Sequence, residues 1–166
     1  MPTEKGKLVL LCGIPGSGKS TFAKMYEPLK HHIILSSDSI REELCGDSSI
    51  QNRNHDVFKL LYKRMYYAIC NGITVVFDAT NISVKLRKKA IKSCPKDTEK
   101  WAVYFVPNVE KAKENNRKRE RIVPEYVIER MARKFVTPTH AEGFERIWRI
   151  DQNTLSKVCI EEIPKT

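Results

Sequence analysis

The stretch Gly13-Ile14-Pro15-Gly16-Ser17-Gly18-Lys19-Ser20-Thr21 follows the apolar run Leu8-Val9-Leu10-Leu11-Cys12 without a break. A glycine, four residues and then Gly-Lys-Ser is the pattern of a loop whose backbone N–H groups close around the phosphates of a nucleotide. Such a loop works between a buried strand and the first turn of a helix. Both flanks are present here. Gly13, Pro15, Gly16, Ser17, Gly18 and Thr21 supply the wall of the cradle, Lys19 brings a point charge to the β- and γ-phosphates, and the Ser20 hydroxyl is placed to hold Mg²⁺. A chance glycine-rich turn would need neither Lys19 nor Ser20 at those offsets. The pattern therefore implies a bound nucleoside triphosphate, with Mg²⁺ carried in beside it.

Outward from this loop, short apolar runs alternate with helical periodicity to the end of the chain. That alternation is the sequence form of an α/β fold, a central parallel sheet of about five strands with helices on both faces. Strands are expected over residues 7–12, 32–35, 73–77, 101–106 and 146–150. Helices are expected over residues 19–26, stopped by Pro28, and over residues 56–71, stopped by Gly72. Three more are expected over residues 84–93 (burying Leu86, Ala90 and Ile91), 109–119 and 125–135. Residues 46–54 and 136–143 read as loops, and residues 158–163 as a possible last strand in a short tail. Ligands of such a sheet sit at the carboxyl ends of its strands.

Composition narrows the field. The length of 166 residues suits one domain, residues 1–166. Thirty Lys and Arg against twenty Asp and Glu leave a net charge of +10, which favours a polyanionic partner or a phosphorylated substrate. Cysteines at 12, 45, 70, 94 and 159 form no Cys-x-x-Cys pair, and Cys12, Cys70 and Cys94 fall in apolar patterns, so reduced, mostly buried thiols and a cytoplasmic location are expected. No apolar segment approaches the ~18 residues of a membrane span, and the N-terminal residues carry no signal-peptide core, so no membrane partner is expected. The four histidines show no metal-ligand spacing.

Two further strand ends carry chemistry. Ser36-Ser37-Asp38-Ser39-Ile40-Arg41 sets a carboxylate just past an apolar strand and an arginine one turn later on the same side. Asp38 there could take the proton of an attacking hydroxyl while Arg41 neutralises charge near the phosphoryl group. Alternatively, Asp38 or Ser39 caps a helix, with Glu42 completing a Ser-x-x-Glu box. Asp78-Ala79-Thr80-Asn81 closes the next apolar strand, and Asp78 is the expected partner of the Ser20–Mg²⁺ unit. Asn81 could meet the substrate or shape the loop. The run Asn115-Asn116-Arg117-Lys118-Arg119-Glu120-Arg121 could close over the donor phosphates. On a helix Arg117 and Arg119 would face different ways, so at most one reaches them. Lys85, Arg87, Lys88, Lys89 and Lys92 read as a solvated face or, less economically, a track for nucleic-acid phosphates. Tyr62, Tyr66 and Tyr67 read as packing residues.

Taken together, these motifs resemble the kinase domains of bacteriophage and animal polynucleotide kinases, within the P-loop kinase superfamily. The segments Asn115-Asn116-Arg117-Lys118-Arg119-Glu120 and Arg133-Lys134-Phe135-Val136-Thr137-Pro138-Thr139-His140-Ala141-Glu142-Gly143-Phe144 are similar to the animal form, and the likeness runs from about Leu8 to Ile150. The resemblance implies a P-loop kinase fold with an arginine-bearing lid. It also implies a 5′-hydroxyl polynucleotide kinase using ATP and Mg²⁺, whose partner is the 5′-OH end of RNA or DNA. In that pattern Asp38 is the general base, Arg41 engages the acceptor, Lys19 and Ser20 serve the donor, and Asp78 and Asn81 line the metal and acceptor region. Arg119 matches both the phage and animal lids, Arg117 the animal one alone. No Asp-x-Asp-x-Thr phosphatase motif is present. The alternatives are a P-loop kinase of a small hydroxylated metabolite or of an aminoacyl-tRNA, and a non-kinase ATP-binding switch.

Overall fold

In the computed structural model, which describes residues 4–25, 32–152 and 159–166, β1 (Leu8–Cys12) runs through the centre of the sheet with every residue buried. The other strands are β2 (His32–Ser36), β3 (Thr74–Asp78), β4 (Lys100–Phe105), β5 (Arg146–Asp151) and β6 (Cys159–Ile163), in the order β2-β3-β1-β4-β5-β6. All neighbours from β2 to β5 pair in parallel, whereas β6 lies antiparallel on β5. The expected parallel sheet of about five strands is thus present, with an antiparallel edge strand added. β1 carries apolar residues on both faces, which is why it reads as a continuous run instead of an alternation.

The helices are α1 (Lys19–Met25), α2 (Ser37–Cys45), α3 (Asn54–Cys70), α4 (Val84–Lys92), α5 (Val109–Arg117) and α6 (Glu125–Lys134), with a 3₁₀ turn at His140–Glu142. Leu8, Leu10 and Cys12 face one side of the sheet, where Val57, Leu61, Met65, Ala68 and Ile69 of α3, Ile40 of α2 and Ala90 of α4 cover them. Val9 and Leu11 face the other side, which gathers Phe22 and Ala23 of α1. A third cluster joins Ile14 of the phosphate loop to Ala112 of α5 and Ile128 of α6. Among the described residues no helix is long and apolar enough to cross a membrane.

Several expectations need correction. Helix α2, expected as the alternative reading of the Asp38 region, is present, and its N-cap is Ser36, whose side chain accepts from the Ser39 N–H, rather than Asp38 or Ser39. Helix α5 stops at Arg117, so Arg119 is not helical. Leu86 is exposed, as are Cys70, Tyr66 and Tyr67. Tyr62 does pack, stacking on Phe77 with ring centroids 6.0 Å apart. Tyr26, Pro28 and His31 lie outside the described residues.

The largest correction is Arg87. Its side chain is fully buried, bonding Glu142 from Nε (2.7 Å) and Nη2 (3.3 Å) and the carbonyls of Asn81 (2.9 Å) and Val136 (2.8 Å) from Nη1. Glu142 also accepts from the Thr139 N–H at 2.8 Å in a capping box. A buried charge is tolerated when its hydrogen bonds are made, and removing one partner strands the other. Replacing Arg87 by Met should therefore lower stability by about 3–5 kcal/mol in urea unfolding, with Glu142→Leu falling in the same range and the two losses far from additive in the double variant.

Candidate active site

The phosphate loop is built from the strand outward. After β1 the backbone turns at Gly16 (φ 80°) and Gly18 (φ 95°), both left-handed. A Cβ at Gly16 would stand 2.3 Å from the Ala112 carbonyl oxygen, so there a backbone neighbour as well as the backbone angle demands glycine, while at Gly18 the angle does. Gly13 is packed against the Ser17 side chain, and its N–H donates to the Thr80 carbonyl at 2.9 Å. Pro15 is buried, while Thr21 on α1 is exposed. The Asn115 amide donates to the Gly16 carbonyl at 2.9 Å, tying α5 to the loop.

Lys19, buried at the head of α1, turns its ammonium back over the loop and donates to the Gly13 and Ile14 carbonyls at 2.9 Å. Burial pushes it down to about 8 from its ordinary 10.5, against the upward pull of the Asp78 carboxylate and with Arg119 pushing the same way as burial.

Ser20 Oγ donates to Asp78 Oδ2 at 2.8 Å. Register puts them together: Asp78 ends β3 opposite Leu11 of β1 and Ser36 of β2, so the ends of three strands converge on it. A hydroxyl beside a carboxylate is a set of hard oxygen donors that fits Mg²⁺ and would reject a soft metal.

Two residues past Ser36, Asp38 stands in the first turn of α2 and receives cations from two directions. Arg41 Nη1 donates to Asp38 Oδ1 at 2.8 Å and Arg121 Nη1 to the same oxygen at 2.7 Å, while Arg119 Nη2 lies 3.8 Å from Oδ2. Arg41 is buried, its Nη2 donates to Asn54 Oδ1 at 2.8 Å, and its Nε has no hydrogen-bond partner among the described residues. Ser36 pairs with Asp78, so Asp38, two residues further on, leaves the sheet beside the strand end that carries the metal donors and the loop.

The remaining expectations divide. Arg117 turns outward to Glu125, at 2.9 Å from Nη2, and away from Asp38. Asn81 takes a positive φ of 45° and is buried, its amide donating to the carbonyls of Leu11 (2.8 Å) and Ala79 (3.3 Å). It shapes the loop rather than offering its side chain to an acceptor. Arg121, Asn54 and Gln152 are neighbours of the site that residue patterns did not single out. Only Arg121 left a signal, as part of the basic run. Beside the loop, Gly16, Ser17, Val106, Asn108 and Gln152 line a small cleft of about 10 Å³, room for about one water molecule.

A family model described as an AAA domain matches residues 8–138. The L-seryl-tRNA(Sec) kinase of Methanococcus maripaludis is 30% identical over 168 residues, covering 94% of this chain and 62% of the relative's length. Among solved structures, one chain of the Pnkp1/Rnl/Hen1 RNA repair complex superposes with a TM-score of 0.71 at 24% identity, over 79% of this chain and 44% of that one. A gluconokinase from Sinorhizobium meliloti 1021 superposes with a TM-score of 0.63 at 17% identity, over 92% and 85%. At those identities the structures establish the shared fold.

The Lys19 ammonium gives a signed pH dependence. An anionic phosphate chain favours its charged form, so binding ATP takes up a proton wherever the free ammonium has begun to lose one. Affinity for ATP should hold steady below about pH 8 and fall above it, approaching about tenfold per pH unit. Calorimetry in buffers of different ionisation enthalpy should register proton uptake near pH 8.5 to 9, absent in Lys19→Met.

Proposed function

We propose that this chain, which belongs to the AAA domain family, is an ATP-dependent polynucleotide kinase that transfers the γ-phosphate to the 5′-hydroxyl end of RNA or DNA. The observation that carries the reading is the position of Asp38. A carboxylate at the carboxyl end of β2, next to the strand end that holds Asp78, shares the mouth with Lys19 and Ser20 and is flanked by arginines. In that place it takes the acceptor's hydroxyl proton while the alcohol oxygen bonds to the γ-phosphorus. The bond from phosphorus to the β,γ-bridging oxygen breaks, and ADP leaves with the electron pair.

Phosphoryl transfer asks the protein chiefly for alignment and for positive charge where the transferred oxygens spread theirs. The Lys19 ammonium and the backbone N–H groups of Gly18, Lys19 and Ser20 hold the donor. Arg119 serves the transferring group, Arg41 serves the acceptor side, and Arg117 is left to the Glu125 contact. Ser20 and Asp78 would hold Mg²⁺, which supplies charge neutralisation on the phosphates when bound. The net charge of +10 suits an acceptor that is itself a polyanion.

A second reading, transfer to the hydroxyl of an aminoacyl-tRNA, draws on the 30% identity to the seryl-tRNA(Sec) kinase. One acceptor panel separates the two. With ATP and Mg²⁺, a 5′-hydroxyl oligonucleotide should gain phosphate while seryl-tRNA and gluconate do not, and the rate should fall steeply with salt. Asp38→Ala and Lys19→Ala should each lower turnover by at least about a hundredfold. An Asp38→Ala variant of undiminished rate would remove the assigned base.

A further inference from the structure

We propose that Arg121 is a positioning residue, which turns the Asp38 carboxylate so that Oδ2 alone receives the acceptor's proton. The proposal rests on the reading of Asp38 as the general base. It comes from counting lone pairs. A carboxylate oxygen has two, and Oδ1 of Asp38 spends both, one on Arg41 Nη1 at 2.8 Å and one on Arg121 Nη1 at 2.7 Å. Oδ2 accepts no hydrogen bond among the described residues, because Arg119 Nη2 at 3.8 Å lies beyond hydrogen-bond reach. One oxygen is therefore clamped and the other is left open as the proton acceptor.

The clamp needs both arginines. Arg41 is on Asp38's own helix, one turn along, and by itself leaves the carboxylate free to rotate about its Cβ–Cγ bond. Arg121 arrives from a segment 83 residues away in sequence, the turn between α5 and α6, and adds a second bond to the same oxygen from outside the helix. That turn is anchored: the buried Asn116 amide donates to the Val123 carbonyl at 2.7 Å and its oxygen accepts from the Val123 N–H at 2.9 Å. Because Asn115 bonds the Gly16 carbonyl, the element that orients the acceptor's base is also fastened to the donor's cradle. Arg121 touches neither the phosphate loop nor the metal donors, so its effect runs through Asp38.

Steady-state kinetics on the full chain, with ATP and a 5′-hydroxyl oligonucleotide, tests this. Arg121→Ala should lower kcat on the order of a hundredfold while both KM values stay within about threefold. Arg121→Lys, which returns one charged donor, should recover much of the loss. In single-turnover measurements, adding Arg121→Ala to Asp38→Ala should lower the residual rate no further. The proposal is overturned if Arg121→Ala raises the acceptor KM at unchanged kcat, which would make Arg121 a substrate contact, or if its full effect persists without Asp38. It is overturned equally by a variant with wild-type or faster turnover. Arg121→Gln keeps the side-chain stem and decides the matter should the alanine variant melt early. An Asp38→Ala enzyme of wild-type rate would instead sink the base assignment itself. An inactive Asp38→Ala beside a fully active Arg121→Ala would sink this inference alone.

Discussion

The buried ion pair of Arg87 and Glu142 is the contact on which the geometry of the mouth depends. A guanidinium without solvent is tolerable only when its N–H groups are matched, and here a carboxylate and two backbone carbonyls match them. One of those carbonyls belongs to Asn81, whose own amide reaches the Leu11 carbonyl at the end of β1. A continuous polar chain thus runs from the 3₁₀ turn at His140–Glu142 through α4 to the root of the phosphate loop. The left-handed backbone at Asn81, costly for a side chain bearing a Cβ, is held in place by the bonds on either side of it. The network thus ends at Leu11, the β1 residue that pairs with Asp78.

Much of this was legible in the residues. The buried strands announce themselves as apolar runs closed by polar residues, and their observed ends fall within a residue of expectation. The phosphate loop is specified by offsets that only one structure uses. Helix α2 was harder to delimit, because Ser37–Cys45 presents Ile40 and Leu44 as its main apolar residues and the sequence does not mark Arg41 as buried. Arg87 hid in the same way. Its neighbours Lys85, Lys88 and Lys89 suggest a solvated face, yet Val84, Arg87, Ala90 and Ile91 share one helical stripe, so the arginine occupies a core position and Leu86, off the stripe, is exposed. A lone charge at a core-facing helical position, with a glutamate in a capping sequence later in the chain, was the available signal.

The basic run after α5 shows how one boundary changes a functional reading. Were the helix continuous through Arg119, alternate arginines would diverge around its axis. Because it ends at Arg117, Arg119 and Arg121 lie in irregular backbone and both turn toward Asp38, while Arg117 stays on the helix and meets Glu125. No pattern of residue types encodes that ending. It follows from Asn116, whose amide bonds Val123 and folds the next turn back on itself.

The close approach of Gly16 to Ala112 sets the phosphate loop against α5. With the Ile14–Ala112–Ile128 cluster beneath it, the roof over the cradle is welded to the floor. A carbonyl that close leaves position 16 no room for any side chain, so the loop and the start of its neighbouring helix keep their spacing as one unit.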